Sequence, residues 1–276
     1  MDDGLRKLQL CELEILDEFV RICDMHGLKY FPMGGTLLGA VRHGGFIPWD
    51  DDIDVIMPRG DYDRFAELCR SELDSRYFYQ SVDTDPHYFL TYAKLRKNGT
   101  EFYEERFKNS LFHKGVFIDI FPLDDCPAPG LICHFLFNVL AVMNYRGEID
   151  SGEVYKPYRE LSGKLGYTVL RLFSPRGLVH LRRRLLRLSA RLSTKRYLAS
   201  YSGAYGYRRE VFPAEWFKQS ELQIVFEGKR IHEPTGAKCI LEQLYGSSFM
   251  ELPPPEERRV HRSVADGTRG GSRRAR

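Results

Sequence analysis

The residues best placed to do chemistry are Asp52-Ile53-Asp54, which run directly into the apolar stretch Val55-Ile56-Met57. Side chains alternate across a strand, so residues two apart share a face. Asp52 and Asp54 therefore point the same way. Paired carboxylates repel each other, and burying them without a counter-charge is costly. A Mg²⁺ ion relieves that repulsion and favours carboxylates together with phosphate oxygens. Upstream, Gly34-Gly35-Thr36 breaks a short apolar run. Glycines let backbone N–H groups approach a phosphate, and a helix starting just after them adds a favourable dipole. Metal carboxylates and a phosphate-binding turn would then meet at one edge of a sheet.

Asp119 is the natural third acid. It is the lone charge in Val116-Phe117-Ile118-Asp119-Ile120-Phe121, and an acid inside an apolar strand needs a compensating role such as metal ligation or catalysis. A hydrogen-bonded acid at a strand end is the plainer account. Asp124 and Asp125 read as loop acids. A calcium loop is excluded at Asp50–Asp54, because Val55 stands where such a loop needs glycine. A solvated turn explains Asp50 and Asp51 but not acids entering a buried strand. Asp-x-Asp also serves metal-dependent glycosyltransferases, which are a rival reading. Arg42, His43, Lys94 and Arg96 are candidates for holding phosphate, the last two on one face of a predicted strand; surface charge is the alternative for each.

These residues need a scaffold. Leu5, Leu8, Leu13, Leu16, Phe19, Val20 and Cys23 form a helical stripe over residues 5–25, stopped by Gly27. A strand is expected from Leu28 to Met33, and a short helix from Thr36 to Arg42. Asp61 suits the N-cap of a helix burying Phe65, Leu68, Cys69 and Leu73. Strands are expected at Tyr77–Gln80, Tyr92–Leu95 and Val116–Phe121, with Asn98-Gly99 marking a hairpin. Residues 131–200 read as helical and basic. Strand character returns at Leu222–Phe226, turns at Gly228 and continues to Ile231, before a last helix near Ala237–Tyr245.

The composition is that of a globular chain: 276 residues, 43% hydrophobic and 29% charged. A net charge of only +3 gives no general reason to bind nucleic acid. The positive excess is local, at residues 171–196 and in the last few residues, which permits contact with a membrane surface. Six cysteines without a C-x-x-C pair indicate neither a zinc site nor a disulfide framework, and a reducing cytoplasm is expected. The start of the chain is polar, unlike a secretory signal. The apolar run Leu131–Met143 is shorter than the ~20 residues a span needs.

The run from Gly34 through Leu37-Leu38-Gly39, Arg42-His43-Gly44-Gly45 and Pro48-Trp49-Asp50 to Asp54 resembles the signature of the LicD family. That family is named for bacterial lipopolysaccharide cholinephosphotransferases, with the animal fukutin-type transferases as relatives. Lys94-Leu95-Arg96, Gly115 to Asp124, Phe226-Glu227-Gly228 and Tyr245-Gly246 followed by Pro253-Pro254 extend the likeness over roughly residues 8–262. The resemblance implies an α+β nucleotidyltransferase-type mixed sheet flanked by helices, with a helical insertion and a C-terminal hairpin and helix. Boundaries follow as a catalytic core over residues 1–130, a basic helical region over 131–210, a completing segment over 211–262 and a disordered tail over 263–276.

It further implies Mg²⁺, with Mn²⁺ as a substitute, on Asp52, Asp54 and Asp119, and a phosphate cradle at Gly34, Gly35 and Thr36. The donor would be CDP-linked, most typically CDP-choline, and the acceptor a sugar hydroxyl on a surface glycan or its lipid-linked precursor. Asp119 is the candidate base. Glu227 at a hairpin tip and Trp49 are assigned to the acceptor side. Trp49, Tyr92 and Phe121 are candidates for an aromatic cage around a quaternary ammonium. A metal-dependent glycosyltransferase and a non-catalytic membrane-surface binder are the competing functions.

Overall fold

A computed structural model describes residues 3–102, 107, 109–150 and 172–258. The basic stretch is therefore seen from residue 172 onward, and the expected tail over 263–276 lies outside the described residues. Helix α1 (Asp3–His26) buries Leu8, Ile15, Leu16, Phe19 and Ile22 along one stripe, as its sequence periodicity predicts. Strand β1 is only Phe31–Pro32, shorter than the apolar run promises, because Gly34 already opens helix α2 (Gly34–His43).

Strand β2 (Asp54–Pro58) leads into helix α3 (Arg59–Glu72). That helix starts two residues before Asp61; Pro58 takes the cap position and no side chain caps it. Strands β3 (Tyr77–Gln80), β4 (Ala93–Lys97) and β5 (Phe117–Asp125) follow. Asn98-Gly99 does make a turn, with Gly99 at φ +72°, but not a tight hairpin. The chain makes an excursion before β5 returns antiparallel to β4.

Among the described residues, seven strands build the main sheet, in the order β1-β2-β5-β4-β3. Strands β6 (Tyr197–Ala199) and β7 (Val211–Pro213) extend it from the far end of β5. The β2–β5 pair is parallel, while β5 runs antiparallel to β4 and β6. Strand β5 therefore ties together three neighbours, and Asp124 and Asp125 are strand residues paired with β6 rather than loop acids. Pro122 sits inside β5 without breaking it. The amide of Asp119 points to β2, so alternation aims position 122 the other way, past the end of β4 at Ala93.

The two faces of the sheet differ. Val55, Met57, Leu95, Ile118 and Ile120 pack with α1 and α3 in the main core. Ile56, Leu123 and the half-buried Phe121 face a second core built with Leu37 and Leu38 of α2 and Ile240, Leu241 and Leu244 of helix α7 (Ala237–Tyr245). The acids of β2 and β5 belong to this second face. Strands β8 (Gln219–Phe226) and β9 (Lys229–Pro234) form a separate hairpin. Glu227 and Gly228 both take positive φ at its tip, as a two-residue hairpin turn requires.

Helices α4 (Leu131–Asp150) and α5 (Pro175–Leu192) pack together over Cys126, Cys133, Phe137 and Leu140. Helix α6 (Tyr207–Glu210) is a single turn before β7. Arg182 is buried on α5, donating to the carbonyl of Leu140 and the hydroxyl of Ser202. Burial pulls its pKa down to about 10. The neighbouring Arg59 grips Asp124 with two bonds, Nε to Oδ1 at 2.7 Å and Nη2 to Oδ2 at 2.9 Å. That pair fixes the start of α3 to the end of β5. Replacing it one-sidedly strands a buried carboxylate. Arg59→Met is expected to lower unfolding free energy by roughly 2 kcal/mol in urea titrations, and an unchanged midpoint would refute this anchoring role.

Candidate active site

The acids converge at the entrance of β2. Asp54 and Asp119 stand side by side as register partners across the parallel strands, and Asp119 is in turn the partner of Lys94 on β4. Asp54, Asp119 and Lys94 thus form one row across three strands. The depth of burial splits them. Asp119 is 2% exposed and forms an ion pair with Lys94, itself 1% exposed. The Lys94 ammonium lies 3.4 Å from the centre of the Phe117 ring, a favourable cation–π placement. Asp52 and Asp54 are partly exposed, at the open end of the row.

The glycine turn packs against these acids. Gly34 has φ +56°, and a Cβ there would sit 3.2 Å from Asp54 Oδ2. A Cβ on Gly35 would clash with the carboxylate of Asp50. Both positions therefore need glycine, Gly34 for its backbone angle and Gly35 for space. Thr36 is buried and accepts the Asp54 amide on Oγ1 at 2.8 Å, locking α2 to β2. Asp50 was not singled out by spacing, yet it is 6% exposed and lies against Gly35.

A supporting chain runs behind the acid loop. Gln9 of α1 donates to the Asp50 carbonyl at 2.9 Å and accepts from Arg6. Arg6 pairs with Glu227 at 2.8 Å. Glu227 accepts the Phe46 amide at 3.2 Å, and its own amide bonds the Gly44 carbonyl. The hairpin tip therefore clamps the 43–46 turn, so Glu227 here serves as a strut.

The predicted phosphate holders are dispersed. Arg42 donates to the carbonyls of Phe249 and Glu251 and to the His43 ring. Arg96 is buried on Gln80 and the Gly115 carbonyl. Of the aromatic trio, Tyr92 and Phe121 pack at 4.4 Å. Trp49 packs against the same core as Phe121, with the Arg258 guanidinium 5.2 Å from its ring.

Two tyrosines complete the site, from segments far along the chain. The hydroxyls of Tyr205 and Tyr245 are 2.8 Å apart. Both lie within 4.0 Å of the point where a Gly34 Cβ would stand, as does Asp54 Oδ2. Burial of its hydroxyl end pushes the Tyr205 pKa up to about 12; the Tyr245 hydrogen bond opposes this, and the charges of Asp54 and Asp52 reinforce it. Tyr245 is held well above the usual tyrosine value, first by burial, then by the Tyr205 hydroxyl and its hydrogen bond, and by the charges of Asp54 and Asp50. Both are therefore neutral hydroxyls beside negative groups.

A family model, the LicD/FKTN/FKRP nucleotidyltransferase domain, matches residues 27–129, which span the glycine turn and all the acids. The lipopolysaccharide cholinephosphotransferase LicD of Haemophilus influenzae is 30% identical over 262 residues, covering 93% of this chain and 95% of that protein. The chain belongs to the LicD family. It is accordingly a LicD-like transferase built on an α+β nucleotidyltransferase-type fold. The ribitol 5-phosphate transferase FKRP of Homo sapiens is 38% identical over 69 residues, 24% of this chain and 14% of that one, and the Mus musculus protein matches equally. Tyr245-Gly246 lies in one of the stretches whose sequence resembles the family, a hint of the tyrosine pair; Tyr205 carried none.

Among the described residues no three His, Cys, Asp or Glu side chains gather closely enough to hold an ion unaided. Mg²⁺ rarely asks for that, since it commonly takes one or two carboxylates and completes its shell with substrate phosphate and water. Asp52 and Asp54 fit this pattern.

Two measurements probe the site's electrostatics. Lys94→Met should destabilise the fold by about 3 kcal/mol, and adding Asp119→Leu should recover most of that loss; a double variant no better than the single would disprove the pairing. Glu210 is 2% exposed, and burial raises its pKa from 4.5 to about 8 despite amide donors at Gly206 and Tyr205. The folded state thus keeps a proton that the unfolded chain releases above about 4.5, so stability falls as pH rises through that window up to about 8. Urea midpoints at pH 5 and pH 8.5 should drop less for Glu210→Gln than for the wild type; parallel drops would count against this.

Proposed function

We propose that the protein moves a phospho-alcohol, phosphocholine above all, from a CDP-linked donor to a sugar hydroxyl of a cell-surface glycan or its lipid-linked precursor, with Mg²⁺ as cofactor. One observation carries this reading: two partly exposed carboxylates, Asp52 and Asp54, open beside a helix-initiating glycine turn, in a chain matching a cholinephosphotransferase nearly end to end. When bound, Mg²⁺ would neutralise the diphosphate and polarise the bond that breaks.

The protein's own groups divide the remaining work. Asp52 and Asp54 hold the ion, and the start of α2 offers backbone N–H groups to phosphate oxygens. The acceptor oxygen attacks the phosphorus that carries the alcohol. The phosphorus–oxygen bond to CMP breaks, and the hydroxyl proton passes to a carboxylate. Asp52 and Asp54 are the acids an incoming hydroxyl can reach. Asp119 lies behind them on Lys94, where it fixes the row's charge and spacing.

Access to a lipid-linked acceptor suits a peripheral position at the inner face of the membrane. Among the described residues no helix is long and apolar enough to cross one. Leu131, Ile132 and Phe135 stand exposed on the first turns of α4, and Arg176, Arg184, Arg187 and Arg191 are exposed on α5. Both features favour contact with an anionic surface.

The decisive assay offers CDP-choline, CDP-ribitol and UDP-sugars with Mg²⁺ and a glycan acceptor. CMP release from a CDP-alcohol is expected, abolished by EDTA and lowered at least about 100-fold in Asp52→Ala. UDP release instead, or CMP release indifferent to EDTA, would overturn the proposal.

A further inference from the structure

The feature that the acids and the glycine turn leave unexplained is the hydroxyl pair beside them. Asp50, Asp52 and Asp54 bring three carboxylates to this end of the row. A phosphorylated ligand entering there needs hydrogen-bond donors as well as a cation. Arg42 and Arg96, the expected donors, are committed elsewhere. Tyr205 and Tyr245 are donors in the right place, with both hydroxyls within 4.0 Å of the Gly34 Cβ position.

Their settings differ in a useful way. Tyr245 ends α7, whose Ile240, Leu241 and Leu244 are fully buried, so its position is set by the core. Tyr205 comes from a loop, and the residue is 42% exposed at the rim. That loop has a built support. The Glu210 carboxyl lies beneath it and accepts the Gly206 amide at 2.9 Å. The backbone approaches so closely that a Cβ on Gly203 would clash with Glu210 Oε1. Ser202 is tied to Thr91 at 3.0 Å and to the buried Arg182 at 3.1 Å. A rim tyrosine held by an internal acid at its base and a serine clamp on one side is positioned, not incidental. The rings meet edge to face at 83°, and one hydroxyl donates to the other, which leaves a donor to offer outward.

We propose that the Tyr205 and Tyr245 hydroxyls form a phosphate-binding subsite of the acid cluster, with Glu210 as the residue that positions Tyr205. The ligand class is a diphosphate, one oxygen of which accepts from the pair while the metal-bound face meets Asp52 and Asp54. This deepens the phosphotransfer reading and rests on it for the presence of a diphosphate. Glu210 touches no substrate and acts only through the loop.

Binding tests separate the subsite from the identity of the donor. Titrate inorganic pyrophosphate with Mg²⁺, and separately CDP-choline with Mg²⁺, by calorimetry, using cytidine as a control without phosphate. Tyr205→Phe should weaken pyrophosphate and CDP-choline roughly 10- to 100-fold, the range for a hydrogen bond to a charged group. Cytidine affinity should stay unchanged. Glu210→Ala should weaken pyrophosphate similarly, add nothing in the Tyr205→Phe background, and be largely rescued by Glu210→Gln, which keeps the acceptor. Pyrophosphate bound equally by wild type and Tyr205→Phe, or not bound by wild type at all, overturns the subsite. Independent, multiplying losses for Tyr205→Phe and Glu210→Ala overturn the positioning role, and if Glu210→Ala does not fold, a Glu210→Gln variant that binds no better than Tyr205→Phe does so instead. Pyrophosphate weakened as expected, with CDP-choline ignored by every form, upholds the subsite and removes only the choline donor.

Discussion

The site depends on one electrostatic constraint: two carboxylates held side by side on adjacent parallel strands. Register places Asp54 against Asp119, at a separation where like charges repel. The sheet tolerates this because β4 brings Lys94 to the other side of Asp119. An ammonium inside a protein is itself costly to bury, and its position over Phe117 lessens that cost. One acid is thereby balanced from within. The other stays partly exposed, with Asp52 beside it. On the proposed phosphotransfer reading such a division has a use, because full internal neutralisation would remove the attraction for a cation.

The row is held in place both from within the motif and from distant parts of the chain. Thr36 secures the Asp54 amide from α2. Gln9 holds the Asp50 carbonyl from α1, and Glu227 braces the adjacent turn from the β8–β9 hairpin through Arg6. These bonds satisfy backbone polar groups that a buried loop would otherwise leave without partners. They also explain why the motif is long: the stretch between Gly34 and Asp54 encodes a helix, a turn and an acid loop that must fit one another and three outside braces.

The local parts of this arrangement were legible from sequence. Alternation in Asp52-Ile53-Asp54, the helical stripe of α1, the limits of α7 and the glycine turn each follow from period and residue type within a few positions. What sequence could not supply was partnership across the fold. Lys94, Arg96 and Arg42 look alike as basic residues near a phosphate motif, yet one neutralises an acid, one braces Gln80 and one ties down the 249–251 carbonyls. Asp124 resembled a loop acid because Pro122 precedes it; only the early end of β4 shows why a proline is tolerated there. Tyr205 had no local signature, since its importance arises from meeting Tyr245 forty residues later.

Depth of burial, more than residue type, then decides the roles within the acid group. Asp119 and Asp52 carry the same functional group and both belong to the family motif. Asp119 is buried and ion-paired with Lys94, so exchanging that partner for solvent would be costly. A partly exposed acid such as Asp52 can exchange partners more readily, because water replaces each one as it leaves. The same distinction applies to the hydroxyls: Tyr245 is fixed by α7, whereas Tyr205 sits at the rim on a loop braced by Glu210. The site therefore pairs a buried floor, with Asp119 on Lys94, and a more accessible edge of Asp52, Asp54 and Tyr205.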